Sequence, residues 1–133
     1  KTRLVGVEPE VIAKYNVVSA PVAARMALGA AAASGSDIAV SVTGVAGPTG
    51  GDEVRPVGTV YLGAARGDTV YVQKLFVSRP DRALVRARAA QAALALALRL
   101  AQGKVPAHTK PLAASEQHSA AALDALNEAF LAE

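Results

Sequence analysis

The pattern of apolar and polar positions divides this chain into helical and extended stretches joined by glycine and proline breaks. After Gly6-Val7, residues 8–14 carry Pro9 near their start, where a first helical turn tolerates it, and predict one short helix. Residues 15–18 then connect to a second helix. Ser19 stands as its N-cap with Pro21 just inside, and Val22, Met26 and Ala30 recur four apart to make an apolar face ending near Ser34-Gly35-Ser36. From Asp37 the period changes, and the β-branched run of residues 38–42 predicts a largely buried strand.

Residues 43–56 contain Gly44, Gly47, Gly50, Gly51, Pro48 and Pro56, so they predict a long shaped loop, and such loops in small domains are usually functional. Residues 59–63 and 69–76 are strand-like, and Gly67-Asp68 between them predicts an antiparallel hairpin. Residues 81–102 form an alanine- and leucine-rich helix, with Leu84, Ala92 and Leu96 among its apolar positions and Gly103 as terminator. A linker-like stretch with Pro106, His108, Lys110 and Pro111 follows. Leu123, Leu126 and Phe130 then recur at helical spacing and predict a last amphipathic helix within residues 115–133.

Composition narrows the function classes. With 133 residues and 52% hydrophobic content the chain fits one domain and is too apolar for disorder. Arg25, Arg82, Arg86 and Arg88 interrupt its most apolar regions, which excludes a spanning helix. Cys 0 removes disulfides, thiolate nucleophiles and cysteine zinc sites, leaving a cytoplasmic protein as the expectation. Five scattered aromatics and a net charge of +3 give neither a stacking platform nor a basic stripe, so nucleic acid is not the expected partner. The chain opens at Lys1 rather than a methionine and reads as a fragment.

The chemical inventory is short. His108 and His118 lie ten positions apart without metal-ligand spacing, no serine sits in a nucleophile elbow, and Asp52-Glu53 are adjacent in a loop rather than paired across a site. No metal or cofactor is therefore expected. The more informative segment is Thr43, Gly44, Gly47, Gly50 and Gly51, where glycines after a buried strand let backbone N–H groups face a phosphate or an oxyanion. No Gly-Lys-Ser/Thr follows, which separates it from a nucleoside-triphosphate loop. Arg79, Arg82, Arg86 and Arg88 cluster at the start of the long helix, with Arg82 and Arg86 on one face. Arg82 and Arg86 are the candidates for anchoring an anion and Arg55 a weaker one, because a planar guanidinium pairs two phosphate oxygens at once.

Residues 43–62, T-G-V-A-G-P-T-G-G-D-E-V-R-P-V-G-T-V-Y-L, resemble the C-terminal domain of the competence/damage-inducible CinA family, whose stand-alone members are nicotinamide-nucleotide amidases. Lys1 to Val7 resemble the segment beginning at the lysine of the family's Y-S-N-x-x-K motif, and residues 17–19 and 26–30 its second helix. Residues 76–86 are similar to its F-x-G-D-R-x-x-V/I-R stretch, with Arg79-Pro80 in place of the glycine region. The resemblance covers residues 1–103. Residues 104–133, the linker and amphipathic helix, have no counterpart.

The resemblance implies an α/β fold, a three-layer α/β/α sandwich with a mixed sheet and an extra C-terminal helix. It also implies a homodimer or larger assembly and hydrolysis of nicotinamide mononucleotide to nicotinate mononucleotide and ammonia. By the same resemblance Lys1 is the amine that accepts a proton from an attacking hydroxyl. The family's E-S-[CT]-T-G-G segment, which carries the serine taken as nucleophile, would lie upstream of Lys1. The alternative expectation is a non-catalytic nucleotide-binding or assembly module.

Overall fold

The computed structural model describes residues 2–79 and 81–132. Five helices and four strands follow one another as α1 (Thr2–Val5), α2 (Pro9–Tyr15), α3 (Ala20–Ser34), β1 (Ile38–Gly44), β2 (Thr59–Arg66), β3 (Thr69–Phe76), α4 (Arg82–Ala101), β4 (Lys110–Ala113) and α5 (Ala120–Leu131). A 3-10 turn, Ala114–Glu116, leads from β4 toward α5.

The helix ends follow local chemistry. Ser19 accepts from the Val22 N–H at the start of α3, and Gly35 closes that helix in the left-handed region at φ 69°. Asp81 accepts from the Ala83 and Leu84 N–H groups of α4 at 2.9 and 3.2 Å. Ser119 caps α5 through the Ala122 N–H. The Gly67-Asp68 pair turns β2 into β3 with Arg66 opposite Thr69, as the pattern predicts. β2 runs three residues beyond the predicted run, through Ala64 and Ala65, because burial on both faces outweighs alanine's poor strand propensity.

The strands form one sheet in the order β1-β2-β3-β4. Alternate residues of β2 point to two cores. Val60, Leu62 and Ala64 meet Val85, Ala89, Ala93, Leu96 and Leu100 of α4. Tyr61 and Ala65 face α3 and α5, where Ala23, Ala27, Leu123, Leu126 and Phe130 lie. The three-layer α/β arrangement thus stands, with one correction. All three strand pairings are antiparallel, so the described sheet is not mixed. The chain leaves α4 beside the hairpin end of the sheet, where Arg66 donates to the Leu100 carbonyl. Residues 102–109 then carry it back to mid-sheet, so β4 starts opposite Val72 and runs toward Thr69, antiparallel to β3.

β4 lies in the stretch read as a linker, and it accommodates Pro111 because an edge strand tolerates a missing N–H. The predicted α5 stripe of Leu123, Leu126 and Phe130 is buried. In α3 the buried set is wider than the Val22-Met26-Ala30 stripe. Ala20, Ala23, Ala24, Ala27 and Leu28 are buried while Met26 and Ala30 are only half-covered, because α3 packs on the sheet and on α1, α2 and α5 at once. α1 reaches α3 closely enough that a Cβ on Gly29 would overlap the Val5 carbonyl.

Candidate functional site: the glycine loop at one end of the sheet

One end of the sheet gathers the carboxyl end of β1, the loop of residues 45–58, the start of α4 and the connector between α2 and α3. Hydrogen bonds tie these together. The Val45 N–H donates to the Thr59 carbonyl and the Gly58 N–H to the Val45 carbonyl, closing the base of the loop at 2.8 Å each. The buried Thr43 hydroxyl donates to the Val17 carbonyl at 2.8 Å, joining β1 to the connector. Arg82 donates through Nη1 to the Gly47 carbonyl at 3.2 Å, which brings the start of α4 against the loop.

Within the loop, Asp52 makes a local turn. Its carboxylate accepts from the N–H groups of Val54 and Arg55 at 2.9 and 2.6 Å, and its own N–H donates to the Arg55 carbonyl. Two glycines are required by space. A Cβ on Gly47, whose φ is 86°, would come 2.5 Å from Val57 Cγ1, and one on Gly51 would meet the Val57 nitrogen at 2.6 Å. The loop therefore folds back on Val57. Thr49, Gly50 and Gly51 are exposed, and among the described residues their N–H groups have no hydrogen-bond acceptor.

The sequence-derived candidates are partly gathered. Thr43, Gly44, Gly47, Gly50, Gly51 and Arg82 belong to this one end of the molecule. Arg86 lies one turn further along α4 and is exposed. Lys1 lies outside the described residues. The start of α4 has its first donors engaged by Asp81, which leaves Arg82 and the exposed loop amides as the candidates at this end for meeting an anion. Five of the seven serines have side-chain partners: Ser19 and Ser119 cap helices, Ser41 donates to the Ala23 carbonyl at 2.6 Å, and Ser34 and Ser36 bond one another.

Arg55 is placed differently from the reading of it as an anion anchor. Its Nε donates to the Val18 carbonyl at 2.5 Å and its Nη2 to the Tyr15 carbonyl at 2.7 Å. Tyr15 is in turn fixed from α5, since its hydroxyl donates to Asp124, which also pairs with Lys14 at 3.0 Å. The hydrogen bond from Tyr15 and then the Lys14 ammonium hold the Asp124 carboxyl below its ordinary range.

A polar cluster around one buried charge, absent from the sequence-derived candidates, lies on the α3 side of the sheet. Arg25, 5% exposed, donates to Glu8 at 2.6 Å, to Gln117 at 2.5 Å and to the Gly6 carbonyl at 3.2 Å, with His118 Nε2 at 3.2 Å. The visible signal was a charge within an alanine-rich helix face. Partial burial works against ionisation of Glu8, but its own backbone N–H and the Arg25 charge outweigh it and lower its pKa. Glu8 and Asp124 both ionise more readily folded than unfolded, so their stabilisation is complete only above their ordinary carboxylate range, at about pH 5 and higher, and is lost as pH falls through their lowered folded values. Thermal melts from pH 7 down to 3 are expected to show this acid loss, with Asp124→Asn giving a shallower decline. An unchanged decline in the variant removes Asp124 from the linkage.

Comparison with known proteins follows the same segments. The sequence model of the CinA C-terminal domain matches residues 1–101. A CinA-like protein of Geobacter sp. (strain M21) is 51% identical over 86 residues, covering 65% of this chain and 20% of that protein. The nicotinamide-nucleotide amidohydrolase PncC of Escherichia coli (strain K12) is 43% identical over 96 residues, covering 71% of this chain and 57% of that protein. Among solved structures, a competence-damaged protein (CinA) superfamily protein from Escherichia coli superposes with a TM-score of 0.70 at 33% identity, over 75% of this chain and 58% of that one. Competence/damage inducible protein CihA from Agrobacterium tumefaciens gives 0.67 at 32% identity, over 77% and 62%. The chain thus spans about a fifth of the CinA-like relative and under two thirds of the others.

Proposed function

The chain belongs to the CinA C-terminal domain family, and from that premise we propose that it is the mononucleotide-binding part of an amidohydrolase acting on nicotinamide mononucleotide. The observation that carries this reading is the exposed loop whose Thr49, Gly50 and Gly51 amides have no acceptor among the described residues, set beside the Arg82 guanidinium. Amide donors of this kind suit a phosphate or a developing oxyanion. The likeness to the Escherichia coli amidohydrolase supplies the substrate class.

In this reading Arg82 and the loop amides hold the anionic end of the ligand, with Arg86 as a second cation on the same helix face. Hydrolysis replaces the carboxamide C–N bond with a C–O bond and releases ammonia. On the family's pattern the attacking hydroxyl comes from an E-S-[CT]-T-G-G segment; Lys1, as a neutral amine, takes its proton and passes it to the leaving ammonia, and water then cleaves the resulting serine ester to give nicotinate mononucleotide. Among the serines, Ser19, Ser41 and Ser119 are engaged in caps and a backbone bond and Ser34 bonds the Ala30 carbonyl and Ser36, so the nucleophile is taken from the family segment rather than from these.

Calorimetry with nicotinamide mononucleotide on the 133-residue chain, paired with an ammonia assay, tests the reading. Saturable binding, weakened by Arg82→Ala, is the expected result, without ammonia release. Absence of binding at millimolar ligand overturns it. A version extended through the serine segment is expected to release ammonia and to lose turnover on Lys1→Ala. An extended version that binds without hydrolysis leaves a non-catalytic nucleotide-binding module.

A further inference from the structure

We infer that Arg55 is a positioning residue that fastens the glycine loop to the α2–α3 connector and so presents its amides already ordered. The inference rests on reading that loop as the ligand site. Arg55 stands between the Asp52 turn and the base of the loop, yet its side chain reaches out of the loop altogether. Two of its three nitrogens donate to carbonyls of residues 15 and 18, which flank the connector. A connector carbonyl lacks a helical partner, and a guanidinium fork satisfies two of them with one rigid group, which a lysine ammonium does not reproduce.

The loop has few other attachments. Its base is closed at Val45 and Gly58 and at Pro56, whose carbonyl accepts from the Thr59 N–H and hydroxyl, and Arg82 holds Gly47. Between Gly47 and Pro56, the Asp52 turn bonds only to itself. Among the described residues, Arg55 therefore supplies the hydrogen bonds that tie that turn to the α2–α3 connector. The anchor it grips does not give way easily. Tyr15 is buried and bonded through its hydroxyl to Asp124 on α5, and the connector is stiffened by Asn16, whose Oδ1 accepts from the Val18 N–H at 3.0 Å. Ser19 adds a bond to the Asn16 carbonyl at 2.8 Å. Ordering the loop before ligand arrives lowers the entropy that binding must otherwise overcome.

The test compares the unaltered chain with Arg55→Ala and Arg55→Lys, by hydrogen exchange at the Asp52, Val54 and Arg55 (or substituted) amides and by calorimetry with nicotinamide mononucleotide. Both variants are expected to exchange about tenfold faster or more at these amides, as the loss of two charge-assisted bonds implies, while the global unfolding midpoint moves little. Affinity for the mononucleotide is expected to fall in both. Unchanged exchange in Arg55→Ala overturns the inference. So does full affinity in Arg55→Lys, because charge rather than the two-carbonyl grip would then be what matters. Faster exchange in the variants together with no mononucleotide binding even by the unaltered chain supports the grip and overturns the ligand reading instead.

Discussion

Gly63→Ala is expected to lower the thermal unfolding midpoint by on the order of 10 °C, the consequence of about 2–3 kcal/mol of overpacking at a site that cannot yield. Gly63 lies in β2, the strand covered on both faces, and its missing side chain is where α3 rests on the sheet. A Cβ there would come 2.5 Å from the Ala23 carbonyl oxygen and 2.7 Å from Ser41 Oγ, atoms that are hydrogen-bonded to each other. One is backbone in a helix and the other a buried side chain, so relief requires α3 to lift off β2. That movement also opens the contacts of Tyr61 and Ala65 with α3. Alanine gains about 0.5–1 kcal/mol over glycine in backbone entropy, which does not offset the clash. Adding Ser41→Ala removes one obstruction and leaves the carbonyl, so rescue is expected to be partial at best. Gly67→Ala is the control: nothing lies within 4 Å of its Cβ, and the cost there is only that of its φ of 62°. A Gly63→Ala protein as stable as the parent would mean that α3 does not sit on the sheet in this way.

Local chemistry made much of this arrangement legible beforehand, and the parts it hid share a cause. Ser19, Pro21 and Gly35 mark both ends of α3, and Gly67-Asp68 marks the hairpin, because each acts within a few residues of itself. The α5 stripe was readable because one face is buried and the other wet. β4 was not, since Lys110 and Pro111 look like linker until β3 offers an open edge. The glycine loop announced itself by composition, and the match to residues 1–101 agrees with the resemblance carried by those residues. Its internal bonding was hidden. Arg55 looked like one more cation for an anion, whereas its acceptors are main-chain carbonyls 37 and 40 residues away, and carbonyls leave no mark on a sequence. Arg25 was hidden in the same way, its partners lying 17, 92 and 93 positions off.

Phe130→Ala is expected to destabilise the protein by about 3–5 kcal/mol, the usual range for truncating a buried phenylalanine, and to do so in a single cooperative transition. Phe130 is 2% exposed near the end of α5, beyond the residues that the family model matches. Its ring meets Tyr61 of β2 edge-on, with centroids 5.8 Å apart at 87°, and Lys110 of β4 lies over it at 5.3 Å. A helix of 12 residues has little stability alone, so α5 persists because Leu123, Leu126 and Phe130 are buried against α3 and the sheet. The same contacts cover Tyr61, Val70 and Val72, which are as much a part of the core as any residue in the matched region. If residues 104–133 were a separable appendage, Phe130→Ala would release α5 to proteolysis and leave the midpoint of the remainder where it was. Because Tyr61 belongs to the central strand, the cavity instead weakens the sheet itself. Circular dichroism and limited proteolysis of the variant are expected to report the same lowered midpoint. Early cleavage after Gly103 with an unshifted main transition would show that the tail is an attachment rather than a layer of the fold.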